Sequence, residues 1–278
     1  MVGCILADHT AKEDPAAAAV VCLAAGLSQK PVIERAKILG LFVIGVDRDP
    51  SAAAGSLCDH MIQLSTHDPA PLIQELKNGP FSNQITAVLN RSSGPPVVTT
   101  AAINDAFGLP GVPLPRARQC VNKDLMRDEC RRQNVSVIEH QVIESFSDLK
   151  PENISLPIVM KPALSMVGKQ GVMVVRQTGQ LKNAFAAAKA ASVTGKVLVE
   201  DYLPGRDVSV IAFVNRGRLE ILAMLDEINQ AHDDGSVSGR AMAVPSRFYG
   251  QPEAEGIVEL AHRVVGVFEL EQIGRAHV

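Results

Sequence analysis

The chain contains no tryptophan, only two tyrosines and eight phenylalanines, an aromatic share of 4% over 278 residues. Stacking platforms for nucleic-acid bases therefore have little to be built from. An excess of one charge is also missing: 27 basic residues face 30 acidic ones, for a formal net charge of -3, so no blanket of positive charge advertises a phosphate backbone as partner. Nucleic acid is excluded as the expected partner. No apolar run is long enough to cross a bilayer. The richest, "PAAAAVVCLAAGL", is short, full of alanine, and lacks the cationic start and cleavage pattern of a leader, so no membrane partner is expected. The five cysteines (Cys4, Cys22, Cys58, Cys120 and Cys130) are odd in number and have no C-x-x-C spacing. Reduced, inert thiols and a cytoplasmic location follow. No G-x-G-x-x-G precedes Asp47, because "AAGLSQ" holds a single glycine, so a nicotinamide cofactor is not expected. Nor does any Ser/His/Asp or Cys/His arrangement point to a covalent nucleophile.

What is present is length and apolar content: 46% hydrophobic residues in 278 suffice for a sizeable core and suggest two domains. The first hundred residues alternate strand and helix patterns. "AAVVCLAAG" reads as a strand and turn, "QKPVIERAKILG" as an amphipathic helix ended by Gly40, and "LFVIGVDRDP" as a second strand. Helical "APLIQELKNG" and strand-to-turn "ITAVLNRSSG" repeat the pattern. Such β-α-β units predict a parallel sheet wound by helices, with ligands near the carboxyl ends of strands.

Three prolines in "GLPGVPLPRA" then read as a linker and put a boundary near residue 115. Beyond it "QCVNKDLMRDECRRQN" reads as one helix with its charges on the exposed side, and "VSVIEHQVI" as a strand. In "IVMKPALSMVGKQGVMVV" two apolar runs flank a loop carrying Gly168 and Gly171, the pattern of paired strands, with Lys161 where the first run ends. The helix "LKNAFAAAKAAS", the strand "KVLVEDYL", the hairpin "DVSVIAFVNRGRLEILAML" turning at Asn215 to Arg218, and the helix "EAEGIVELAHRVVGVFEL" complete the chain. His262 on that last helix reads as structural, and His232, Asp233 and Asp234 in "AHDDGS" as a solvated turn rather than a metal site.

Lys123 at a helix start, Lys161 after a strand, the glycine-bearing loop and then "VEDYLPGRD" resemble, in order and spacing, the ATP-grasp superfamily. "LAAGLSQKPVIERAKILGLFVIGVDRDP" likewise resembles the pre-ATP-grasp domain that precedes this fold in many members. The resemblance covers roughly residues 20 to 272. It implies an α/β, Rossmann-like parallel-sheet domain over residues 17–114 after an extended start at 1–16. It then implies the α+β ATP-grasp lobes, small over 115–194 and large but incomplete over 195–272.

The implied activity is ATP-dependent ligation, in which a small carboxylate substrate is activated as an acyl phosphate and joined to an amine or other nucleophile. A non-catalytic nucleotide-binding module is the alternative. The resemblance assigns Lys123 and Lys161 to phosphate contact and the loop from Ser165 through Gly168 to Gly171 to a mobile phosphate lid. Lys169 is read either as a third positive charge there or as a solvated loop lysine. Glu200 is assigned to the adenine amino group, the backbone around Asp201, Tyr202 and Leu203 to the ring edge, and Asp207 to the ribose hydroxyls. Ammonium groups and exposed backbone N–H groups suit a polyanion, and acceptor-only carboxylates suit amino and hydroxyl donors. Mg2+ is implied as well, but on ligands after the helix ending near Leu270, beyond the end of this chain, which by itself is then expected to be inactive. The final "IGRAHV" (273–278) matches a reading frame of a common sequencing adapter and is expected to be foreign. Oligomeric state stays open, a homodimer included.

Overall fold

In a computed structural model, residues 18–135, 138–150, 154–166, 168–270 and 272–273 are described. The expected extended start and residues 274–278 of the expected foreign tail lie outside these. The described residues form two compact units, divided between Arg91 and Ser92.

The first unit is the parallel sheet that the alternating pattern predicts. Its elements are β1 (Ala19–Leu23), α1 (Lys30–Ile38), β2 (Phe42–Val46), β3 (His60–Ile62), α2 (Pro69–Asn78) and β4 (Ile85–Asn90), with the strands ordered β3-β2-β1-β4. Every residue of β1 is buried because a parallel sheet is covered on both faces. Val20 and Cys22 pack with Val43 under Ile33 and Ala36 of α1. Asp47, just after β2, accepts from the Ala25 amide at 2.9 Å and the Asp49 amide at 3.0 Å, so its carboxylate ties two loops together. Burial pushes the Cys22 thiol up to about 12 and that of Cys58 to about 11, and neither can serve as a thiolate nucleophile.

The second unit begins with α3 (Pro95–Phe107), α4 (Leu114–Val121) and α5 (Lys123–Arg132). Three sequence expectations need correction here. The proline-rich stretch is only partly a linker, because Pro115 lies in the first turn of α4, where a missing N–H costs nothing. The single helix expected over Gln119 to Asn134 is two, since Asn122 is extended (φ -92°, ψ 114°) and breaks it. The charges of α5 are not all outward either: Glu129 is buried.

Glu129 is gripped by Arg132 at 2.9 and 2.6 Å and by Arg116 at 3.2 Å. The Arg132 hydrogen bonds, assisted by Gln133 and Arg116, outweigh burial and hold its carboxyl down to about 2, from an ordinary 4.5. A depressed carboxyl stabilises the fold above its unfolded value, and that stability is lost as pH falls from about 4.5 towards 2. Urea midpoints at neutral pH and at pH near 3 should therefore fall more for the parent protein than for Glu129→Gln; equal falls would contradict the assignment.

The unit continues with β5 (His140–Ile143), β6 (Ile158–Pro162), β7 (Met173–Val175), α6 (Leu181–Ala190) and β8 (Val197–Asp201), giving an antiparallel sheet ordered β5-β8-β6-β7. Alternation sorts its residues. Ile143, Ile158, Met160, Val175, Val197 and Val199 bury one face against Leu181, Ala184, Phe185 and Ala188 of α6. Lys161 and Glu200 are left on the other face.

A second antiparallel sheet, ordered β11-β10-β9-β12, is made by β9 (Asp207–Asn215), β10 (Arg218–Ala231), β11 (Val237–Ala243) and β12 (Gln272–Ile273), with α7 (Glu253–Val267) preceding β12 in the chain. Arg216 (φ 50°) and Gly217 (φ 75°) form the two-residue turn expected between β9 and β10, both with positive φ, as the twist of a tight hairpin demands. Val210 and Ala212 pack on Ala261 of α7, and Val214 on Val265 and Phe268. His262, expected to be structural, lies on the exposed side of that helix. The turn between β10 and β11 reaches the edge of the other sheet: the Val174 amide donates to Gly235 O at 2.8 Å, and the Val237 amide to Val172 O at 3.2 Å.

Candidate functional site

The residues that sequence reasoning singled out in the second unit gather on one face of the β5-β8-β6-β7 sheet. Cross-strand partners share a face, and the register pairs Val159 with Glu200 and Lys161 with Leu198. That brings Lys161 Nζ onto Glu200 Oε1 as an ion pair of which neither side chain is more than 14% exposed. Helix α5 supplies the third side. The Lys123 amide donates to Ala163 O at 2.8 Å, fixing the helix start at the end of β6, and Lys123 Nζ donates to Ser165 Oγ at 3.3 Å. One turn on, Arg127 Nε donates to Glu200 Oε2 at 2.9 Å. Two cations thus pair with one buried carboxylate, and a third, Lys123, stands close enough to feel both Lys161 and Glu200.

The electrostatics are unbalanced in a useful direction. Burial, above all, pushes the Lys161 ammonium below the ordinary lysine value, with Glu200 opposing; burial and the neighbouring Lys161 do the same to Lys123. Burial would raise the Glu200 carboxyl, but Lys161 and Arg127 together hold it below its ordinary value. Crowded, half-desolvated cations next to a loop form an environment that an added polyanion relieves.

The glycine-bearing loop between β6 and β7 has two different glycines. Gly168 is exposed, with nothing within 4 Å of where a Cβ would sit. Gly171 has φ +70°, and a Cβ there would lie 2.7 Å from Ala191 Cβ and 2.9 Å from Ala187 O, so this glycine lets the loop lie on α6. Lys169 reaches across to β10, donating to Glu227 Oε2 at 2.9 Å and to Asn229 Oδ1. Asn229 in turn donates to Asp207, and Ser209 Oγ to Glu227. Lys169 is therefore a partly exposed but paired lysine that fastens the loop to the other sheet. With the Lys169 side chain 33% exposed, the tie contributes about 0.5–1 kcal/mol. Lys169→Met should speed amide exchange of residues 168–171 roughly two- to fivefold. Unchanged exchange would show that the tie is not what orders the loop.

At the end of β8, Asp201 and Leu203 are exposed, and Tyr202 is half-buried with the Arg176 guanidinium 5.2 Å from its ring centroid. Asp234 in "AHDDGS" accepts from the Ser236 amide at 2.9 Å and its hydroxyl at 2.6 Å, as a turn residue does. Among the described residues no three His, Cys, Asp or Glu side chains converge as a metal site.

No protein-family model matches the chain. It is 29% identical over 136 residues to the vancomycin B-type resistance protein VanB of Enterococcus faecalis, covering 47% of this chain and 39% of that protein. It is 24% identical over 229 residues to a formate-dependent phosphoribosylglycinamide formyltransferase of Mannheimia succiniciproducens, covering 79% of this chain and 56% of that protein. The chain thus spans about two fifths to somewhat over half the length of these relatives. The carboxyaminoimidazole ribonucleotide synthase of Aspergillus clavatus, solved with ATP, superposes with a TM-score of 0.73 at 15% identity, over 95% of this chain and 65% of that one. The chain has the ATP-grasp fold.

Within that fold, Lys123, Lys161 and Glu200 lie together, and Lys169 and Asp207 join a second cluster on β9 and β10. Four members of these clusters, Arg127, Ser209, Glu227 and Asn229, escaped sequence reasoning. Arg127 stands four residues after Lys123, the spacing that puts two side chains on one helix face, but the charge of α5 masked it as a solvated residue. Glu227 and Asn229 stand two apart on β10, the spacing of one sheet face, but beyond Leu225, where the hairpin legible in the sequence ends.

Proposed function

We propose that this protein is an ATP-dependent ligase. The observation that carries the proposal is the convergence of Lys123, Arg127 and Lys161 around the buried Glu200, a cationic cluster beside a glycine-bearing loop. Lys123 and Lys161 contact the phosphates, and the loop from Ser165 through Gly168 to Gly171 covers them with backbone N–H groups. The end of β8, from Glu200 through Asp201, Tyr202 and Leu203, lines the adenine position, Glu200 accepting from the amino group with lone pairs that its Arg127 pair leaves free. Asp207 faces the ribose hydroxyls, exchanging its Asn229 partner for them. The lobes are residues 115–194 and 195–272, preceded by the parallel-sheet domain at 17–114.

The reaction is activation of a small carboxylate. A carboxylate oxygen attacks the γ-phosphorus of ATP and ADP leaves. An amine then attacks the acyl carbon of the resulting acyl phosphate, the C–N bond forms as the C–O bond to phosphate breaks, and the amine proton passes to solvent. Positioning and charge stabilisation do the work, and no side-chain nucleophile is required. Magnesium enters as MgATP. The described side chains do not fit a magnesium site of their own, and none is assigned to one. A cytoplasmic location, which the odd number and spacing of the cysteines support, and a homodimeric assembly belong to the same proposal.

The test is ADP release by the complete gene product given MgATP and pooled carboxylates and amino acids. Acceptor-dependent release is expected. Nucleotide binding with no release for any acceptor would overturn the ligase reading and leave a binding module.

A further inference from the structure

We propose that Arg127 is the positioning residue of this site: it keeps the buried Glu200 neutralised when Lys161 leaves that carboxylate for a phosphate. The inference rests on the nucleotide reading above and deepens it. Lys161 and Glu200 are directly paired, so a phosphate competes with Glu200 for the same ammonium. A carboxylate only 7% exposed that lost its sole counter-ion would be strongly disfavoured, and phosphate binding would have to make up that cost. Arg127 removes the conflict. It occupies the other carboxylate oxygen, Oε2, at 2.9 Å, while Lys161 occupies Oε1, so either cation can move without stripping the other.

Lys123 cannot do this job, being directed to Ser165 at 3.3 Å. His140, the register partner of Glu200 on β5, has its ring nitrogens facing Asp128 at 2.9 Å and Arg131 at 3.3 Å. Guanidinium suits the role because it stays charged when buried and binds through a fixed fork.

The experiment is ADP titration of the full chain and of Arg127→Met, Arg127→Lys, Glu200→Gln and the double variant R127M/E200Q. Arg127→Met should weaken ADP roughly tenfold, and Arg127→Lys should recover most of the loss. In the Glu200→Gln background, where no buried carboxylate needs a counter-ion and Arg127 only adds to the positive charge beside Lys161, the same Arg127→Met change should cost less than about twofold. Equal losses in both backgrounds would mean that Arg127 acts on the nucleotide directly or only through the fold, and would overturn the proposal; so would no loss in either. If Arg127→Met alone does not fold, the comparison of Arg127→Lys with the double variant decides, since the proposal requires both to bind ADP. Failure of the unsubstituted chain to bind ADP would instead remove the nucleotide reading itself.

Discussion

Lys161→Ala is expected to weaken ATP and ADP binding by about ten- to a hundredfold while leaving a cooperatively folded protein. The first half of that expectation follows from what the ammonium would do. A charge-assisted hydrogen bond to phosphate contributes about 1.5–3 kcal/mol, and each 1.4 kcal/mol is tenfold in affinity. Burial already pushes Lys161 below the ordinary lysine value, so this is a group kept charged by its neighbours and stabilised further by an arriving anion. The second half follows from redundancy. Without Lys161, Glu200 still has Arg127 at 2.9 Å, and no buried charge is orphaned. Calorimetric titration with the two nucleotides measures the first, and a thermal melt the second. Unchanged affinity would end the assignment of Lys161 to phosphate.

Glu200→Leu should have the opposite profile, a large loss of stability. It removes the one carboxylate paired with both Lys161 and Arg127, with Lys123 close by, and leaves like charges facing one another in a partly dry site. Removing one partner of a buried ion pair costs about 3–5 kcal/mol, which in a chain of this size lowers the melting midpoint on the order of 10 °C. Part of that loss is repulsion, so added salt or inorganic triphosphate should restore more of the midpoint in the variant than in the parent. A variant that melts with the parent would show that the carboxylate is not the keystone of the cluster.

The legibility of this molecule in its sequence follows from periodicity. β1 and β2 announce themselves as contiguous apolar runs between turn signals, because a central parallel strand is buried on both faces, and β4 at the sheet edge is recognised by the turn signals around its apolar residues. The β9–β10 hairpin is equally plain, since Asn215 to Arg218 can only turn. Lys161 was findable because it interrupts an apolar run, and a charge at the end of a buried strand needs a reason. Arg127 and Glu129 gave no such signal: on a short helix rich in both charges, nothing local tells an arginine that crosses to a carboxylate 73 residues away from one that faces water. The break at Asn122 was hidden for a related reason, as asparagine is tolerated within helices as well as at their ends. The pairing of Lys169 with Glu227 and Asn229 depends on how two sheets are stitched, information carried by the turn at Gly235 and not by either strand.

That stitching has a consequence for behaviour at high concentration. An outermost strand with free amides is a template on which other molecules can add, the first step towards insoluble fibres. Here β7 spends its outward amide and carbonyl groups near Met173 and Val174 on residues 235–237, so that border is closed from within the molecule. Shortening the 232–236 turn would unblock it, and such a variant would be lost to aggregation before any change in ligand recognition could be seen.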